Sequence, residues 1–281
     1  MAAPEPFGQT SPWLHQYDQL LRASALDRES VLTEALESRP VERPAVLSLA
    51  QCLDQPRLLI DQVNIDYPQT SDSRTVRARV SVLQQDLALN VIAPLTLRLF
   101  RDGRAPLPDP RHIFLASVTG DDASVSNGKE TTASRWFQTP GRPAVDENTY
   151  VRSLGDQAER WYPVFRRGLG ISPGAYWSSI GLGLGAPFSA VWNRAEPAAV
   201  CNLAQRWLAQ FSNDATRFID WIPAVFDGRT NAIPQRKGCC LKYLLPDGGY
   251  CGTCGVYRKE RLAALRLQKQ SQEPGQWQPG Q

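Results

Sequence analysis

At 281 residues, with 42% hydrophobic and 21% charged side chains, the chain has an ordinary globular balance and room for one large core or two modest ones. A net charge of +3 is too small for a nucleic-acid footprint, and two histidines leave little from which to build a His-based metal site or a Ser-His-Asp triad. No run approaches the roughly 18 apolar residues that span a bilayer, because the apolar stretch 180–192 is short and glycine-rich.

From Met1 onward there is neither a charged n-region nor an apolar h-region, so no signal peptide is expected. The expectation is a cytoplasmic protein, free or loosely attached to the inner membrane face. Ser11 to Ala25 reads as a first helix, with Trp13, Leu14, Tyr17, Leu20 and Leu21 on one face and Ser11-Pro12 as its start signal. Residues 31–36 and 45–53 are shorter helical candidates, and Cys52 in the second reads as an inert core thiol. The longest regular pattern, 73–100, reads as a core helix pair bent or broken at Pro94.

After a loop over 101–110, residues 113–118 with Trp136 and Phe137 suggest a small antiparallel sheet. Asp121, Asp122 and Glu130 lie in the Ser/Asn/Gly-rich loop between them, without the spacing of an EF-hand, and read as a solvated turn. Residues 156–169 read as helix, carrying Arg160, Arg166 and Arg167. Gly181, Gly183 and Ala186 satisfy the Gly-x-Gly-x-x-Gly/Ala pattern, but no strand leads in and Pro187 follows at once. They are read as close backbone packing, with no nicotinamide or flavin bound. A helical region is expected over 198–226, with Cys201 as a second core thiol. Six of the eight tryptophans fall between Trp136 and Trp221; most read as core, with one or two lining an apolar cleft.

Beyond Asn231 the composition turns polar and basic. Between Arg236 and Lys269 stand eight basic residues against Asp247 and Glu260, a local +6 that leaves about −3 elsewhere. A short helix over 258–270 and a disordered tail over 271–281 complete the chain. The fold class expected is α+β and predominantly helical: a large N-terminal helical domain with a small antiparallel sheet (1–230), then a cysteine-rich hairpin plus short helix (231–270).

Four of the six cysteines lie in that hairpin. Cys239 and Cys240 are adjacent, ten residues follow, and Cys251 and Cys254 form a Cys-x-x-Cys pair. Residues 241–245 read as a short strand and Pro246-Asp247-Gly248-Gly249 as a turn that brings the second thiol pair back to the first. Gly252 and Gly255 are expected to let the backbone curl round a bound group. Disulfides, a structural zinc and an iron–sulfur cluster are the competing readings. Adjacent cysteines suit two tetrahedral knuckles on one zinc poorly, whereas a two-iron cluster demands less convergence of neighbouring thiols.

This signature, with Leu-x-Tyr after the first pair and Gly-x-Tyr-Cys-Gly leading into the second, resembles the C-terminal signature of the FhuF-like ferric siderophore reductases. The resemblance implies a [2Fe-2S] cluster on Cys239, Cys240, Cys251 and Cys254 that passes single electrons to siderophore-bound ferric iron, hydroxamate chelates foremost. Residues 1–230 are then expected to form the siderophore-docking domain. An external donor such as a ferredoxin or a flavin reductase is then required. Arg236, Lys237, Lys242 and Tyr243 flank the cysteines and are candidates to position the chelate or tune the cluster. Where the family carries Trp-Gly-Asn upstream, this chain has Trp177-Ser178-Ser179; Trp177 joins the candidate substrate residues. The alternative, from another class, is a non-catalytic sensor or interaction module holding zinc or an iron–sulfur cluster.

Overall fold

Leu14, Tyr17, Leu20 and Leu21 recur at helical spacing and form the buried face of α1 (Pro12–Ala23). The computed structural model describes residues 12–36, 45–69, 72–118, 133–226, 228–246 and 248–255. The expected loop acids, the helix over 258–270 and the tail lie outside the described residues, as does the Ser11 start signal. After α2 (Arg28–Leu36) come strand β1 (Ala45–Ser48) and helix α3 (Leu49–Asp54). The expected single helix over 45–53 is therefore divided. Ser48 explains the division: its hydroxyl accepts the Gln51 N–H and its own N–H donates to Gln51 Oε1, a capping box that starts a helix only there.

Helix α4 (Arg57–Asp66) leads to α5 (Ser73–Leu87), a π-helical turn (Ala88–Ile92) and α6 (Ala93–Asp102). Pro94 does not break this run, against expectation. It sits in the first turn of α6, immediately after the π turn, where its missing N–H and fixed φ are tolerated. The resulting 30-residue helical run is long and apolar enough to cross a membrane, which the sequence reading denied; 67% of its most apolar window is buried inside the molecule, as in a core helix.

Strands β2 (Ala105–Pro106), β3 (Ile113–Val118), β4 (Ala133–Gln138) and β5 (Ala144–Val145) follow. β3 is the centre of an antiparallel sheet in the order β1-β3-β4, as expected for 113–118 and 136–137, and β2 pairs with β5. Helix α7 (Glu147–Pro163) ends in a second π turn (Val164–Gly168), and α8 (Pro173–Leu184), α9 (Ala186–Ser189), α10 (Pro197–Leu208) and α11 (Ala215–Phe218) complete the helical body. One continuous core runs through it. Trp13, Tyr17, Phe100, Phe188, Trp207 and Phe211 meet edge to face, with ring centroids 4.9 to 5.7 Å apart.

Residues 219–226 are not helical. They form β6 (Ile219–Phe226), paired antiparallel with β7 (Arg229–Arg236) from Ile219↔Arg236 to Phe226↔Arg229. Pro223 disfavours a helix there, and Gly228, at φ 73°, supplies the left-handed position that a two-residue hairpin turn requires. The expected division between residues 230 and 231 thus falls within β7.

Candidate metal centre

β7 delivers the chain to the cysteines, and glycines let it lie against α8. A Cβ on Gly238 would stand 2.0 Å from the backbone carbonyl of Gly174, in the first turn of α8. Only two glycines allow that approach. A Cβ on Gly255 would meet the Arg236 carbonyl at 2.4 Å, whereas one on Gly252 meets nothing within 4 Å. The tight curl expected of both glycines belongs to Gly255 alone.

The expected strand over 241–245 is absent. Leu241 instead adopts φ 64°, and residues Lys242–Leu244 form a 3₁₀ turn. The physical reason lies in the first thiol pair. The left-handed kink turns the Leu241 N–H back onto Cys239 Sγ at 3.3 Å, a bond that a continuing strand would forgo. The chain still doubles back, closed by Gly248 N–H donating to the Leu245 carbonyl at 2.9 Å and by Tyr243 stacking on Tyr250 with centroids 5.2 Å apart.

Cys240 and Cys254 act on the titration of Cys239, and Cys240 on that of Cys251. Cys239 is held below the ordinary thiol range, first by its bond from Cys240. Cys251 is pushed above it, first by its contact with Cys240 and then by burial, against a lowering influence from the Arg236 charge. Cys240 and Cys254 are buried; Cys239 and Cys251 are partly exposed. None of the six cysteines is disulfide-bonded. Among the described residues, no three His, Cys, Asp or Glu side chains close round a single point as ligands of one ion would. Four thiols free of disulfides are the donor set that a [2Fe-2S] core uses. The donors fit.

Residues 236–254 match the FhuF 2Fe-2S C-terminal domain. This segment carries the FhuF signature. The match supports the resemblance read from the sequence and points to an iron–sulfur protein. It begins at the buried arginine and ends at the last cysteine of the FhuF-like segment. No curated protein matches the chain.

Of the other candidates, Lys242 is exposed and Tyr243 partly so, both on the turn that carries the FhuF-like thiols. Lys237 forms an ion pair with Asp220 at 2.9 Å. Trp177 and Arg236 are corrections to the substrate set: each is 1% exposed and offers no surface to a docked chelate. Trp177 packs among Tyr162 and Tyr176, and Trp136, Trp161, Trp207 and Trp221 are buried as well. A cleft of about 370 Å³ is lined by Trp13, Glu147, Arg152 and Gln210, and one of about 430 Å³ by Ile60, Val76, Arg77 and Leu169; neither contains a cysteine.

Sequence reasoning missed Ser178, Ser179 and Gln85, which hold the Arg236 guanidinium. The one available signal was the Trp177-Ser178-Ser179 departure, whose hydroxyls had no assigned partner.

Proposed function

We propose that the chain is a ferric-siderophore reductase in which Cys239, Cys240, Cys251 and Cys254 hold a [2Fe-2S] cluster. When bound, that cluster supplies single-electron transfer to chelated ferric iron. The observation that carries the reading is the match of residues 236–254, which hold all four thiols, none in a disulfide, to the FhuF 2Fe-2S C-terminal domain.

Siderophores hold ferric ion through hard oxygen donors, which bind the less highly charged ferrous ion far more weakly. One added electron therefore loosens every iron–ligand bond at once, and no general acid or base is needed. The residues of this chain have a simpler task. Cys239 and Cys251 form the partly exposed side of the site, so a docked chelate approaches there, beside Lys242 and the Tyr243–Tyr250 pair. Hydroxamate chelates are the substrate class. The electron comes from an external donor such as a ferredoxin or a flavin reductase, and the reaction belongs in the cytoplasm.

The test is to purify wild type, Cys251→Ser and Cys254→Ser, to assay iron, sulfide and zinc, and to follow reduction of a ferric hydroxamate by a pre-reduced sample. Wild type is expected to carry iron and sulfide with visible absorption, and each substitution to remove the absorption and the reductase activity together. Zinc in place of iron, or activity that survives without the colour, refutes the reading.

A further inference from the structure

Arg236 is 1% exposed, yet it carries a charge that no protein environment removes. Nε donates to Ser178 Oγ at 2.9 Å, Nη1 to Gln85 Oε1 at 2.9 Å, and Nη2 to Ser179 Oγ at 2.9 Å and the Ala175 carbonyl at 3.3 Å. Every acceptor is neutral. Among the described residues no carboxylate forms an ion pair with it, although Lys237, its neighbour in sequence, has Asp220. A buried charge without a counter-charge is strongly disfavoured, so the cradle is built to hold a cation for an anion that the polypeptide does not supply as a carboxylate.

The backbone of the same residue indicates where that anion lies. Arg236 N–H donates to the Thr253 carbonyl at 3.1 Å, inside the Cys-x-x-Cys loop, and the Arg236 carbonyl lies under Gly255. The helices thus fix a buried cation on the residue whose backbone pairs with the Cys-x-x-Cys loop.

We propose that Arg236 is the fixed counter-charge of the four-cysteine site, positioned by Ser178, Ser179 and Gln85, and that it raises the reduction potential there. This rests on the [2Fe-2S] reading above. Four thiolates make the site anionic, and reduction adds one more negative charge, which a nearby fixed cation stabilises. The electron enters from the external one-electron donor and leaves to chelated ferric ion, which becomes ferrous; no protein bond forms or breaks. Ser178, Ser179 and Gln85 are positioning residues that act through Arg236.

Spectroelectrochemical titration of the iron-loaded full chain tests this. Arg236→Gln is expected to keep the visible absorption and to lower the ratio of reduced to oxidised protein at the wild-type midpoint at least tenfold, which for one electron is ~59 mV. Arg236→Lys, which keeps the charge, is expected to stay close to wild type. Gln85→Glu sets a carboxylate against Nη1 and is expected to shift the potential downward with Arg236 still present, which covers the case in which Arg236→Gln does not fold. An unmoved potential in Arg236→Gln or in Gln85→Glu overturns the inference, as does an equal shift in Arg236→Lys and Arg236→Gln. A wild-type protein without visible absorption overturns the cluster reading and this inference with it; a coloured protein with unmoved potentials overturns this inference alone.

Discussion

The six thiols divide by their neighbours. Cys52 and Cys201 are buried in the apolar core, where burial pushes them up to about 12 and about 11 respectively. Neither lies in the segment 236–254 that holds the other four. Burial acts on a carboxyl in the same direction at Asp86, which accepts the Trp136 N–H at 2.8 Å and the Asn90 amide at 2.7 Å. Loss of hydration outweighs those bonds and raises Asp86 from 3.8 to about 6. Between those values the unfolded chain releases this proton before the folded protein does, so the Asp86 contribution to stability falls as pH rises through the window and then levels. Asp86→Asn is expected to remove that part of the slope, as urea midpoints measured from pH 3.5 to 7 will read out.

At the scale of elements, α8 is the platform on which the cysteine segment rests. Its Gly183 lies under the Ala88 carbonyl of the π turn, where a Cβ would come within 2.7 Å, and its Gly181 lies against Ile219 of β6. The Gly-x-Gly-x-x-Ala pattern is thus helix packing, as expected. The other end of α8 meets Gly238 through Gly174. Gly238→Ala forces backbone against backbone, and overpacking of this kind costs roughly 1–3 kcal/mol. The expected result is a lower melting temperature with faster loss of visible absorption. Gly252→Ala, with open space and no positive φ, is the control and is expected to stay within about 0.5 kcal/mol of wild type. Thermal melts and the decay of absorption distinguish the two.

Across the whole molecule, two of the three described basic residues near the cysteines do not present a free charge to solvent. Arg236 points into the core and Lys237 is paired with Asp220, so of the described basic residues from Arg236 onward Lys242 is the exposed one without an ion pair among the described residues. The glycines of the dinucleotide-like pattern lie inside a buried helix, with no strand feeding it. The purified protein is therefore expected not to oxidise NADPH unaided, as absorbance at the nicotinamide band will show, and an external donor is expected to restore turnover.

Much of this was legible in local pattern. The face of α1, the β3–β4 pairing and the packing role of Gly181 and Gly183 follow from spacing, which fixes which side chains share a side of one element. The thiol signature was legible too, because metal-ligand chemistry restricts residue type and separation. What failed was mostly boundary and partner. Local pattern predicts a bend or break at Pro94, although a π turn accommodates it; a helix over 219–226, although its strand is stabilised by a partner that begins ten residues later; and a strand over 241–245, although Cys239 captures the Leu241 N–H. Hydrogen bonds to partners distant in sequence leave no periodicity of their own. The sequence alone determined that four sulfurs of one short segment are available together. Only the folded chain decided that Arg236 faces inward, since the acceptors that hold its charge come from α5 and α8, some 57 to 151 residues away.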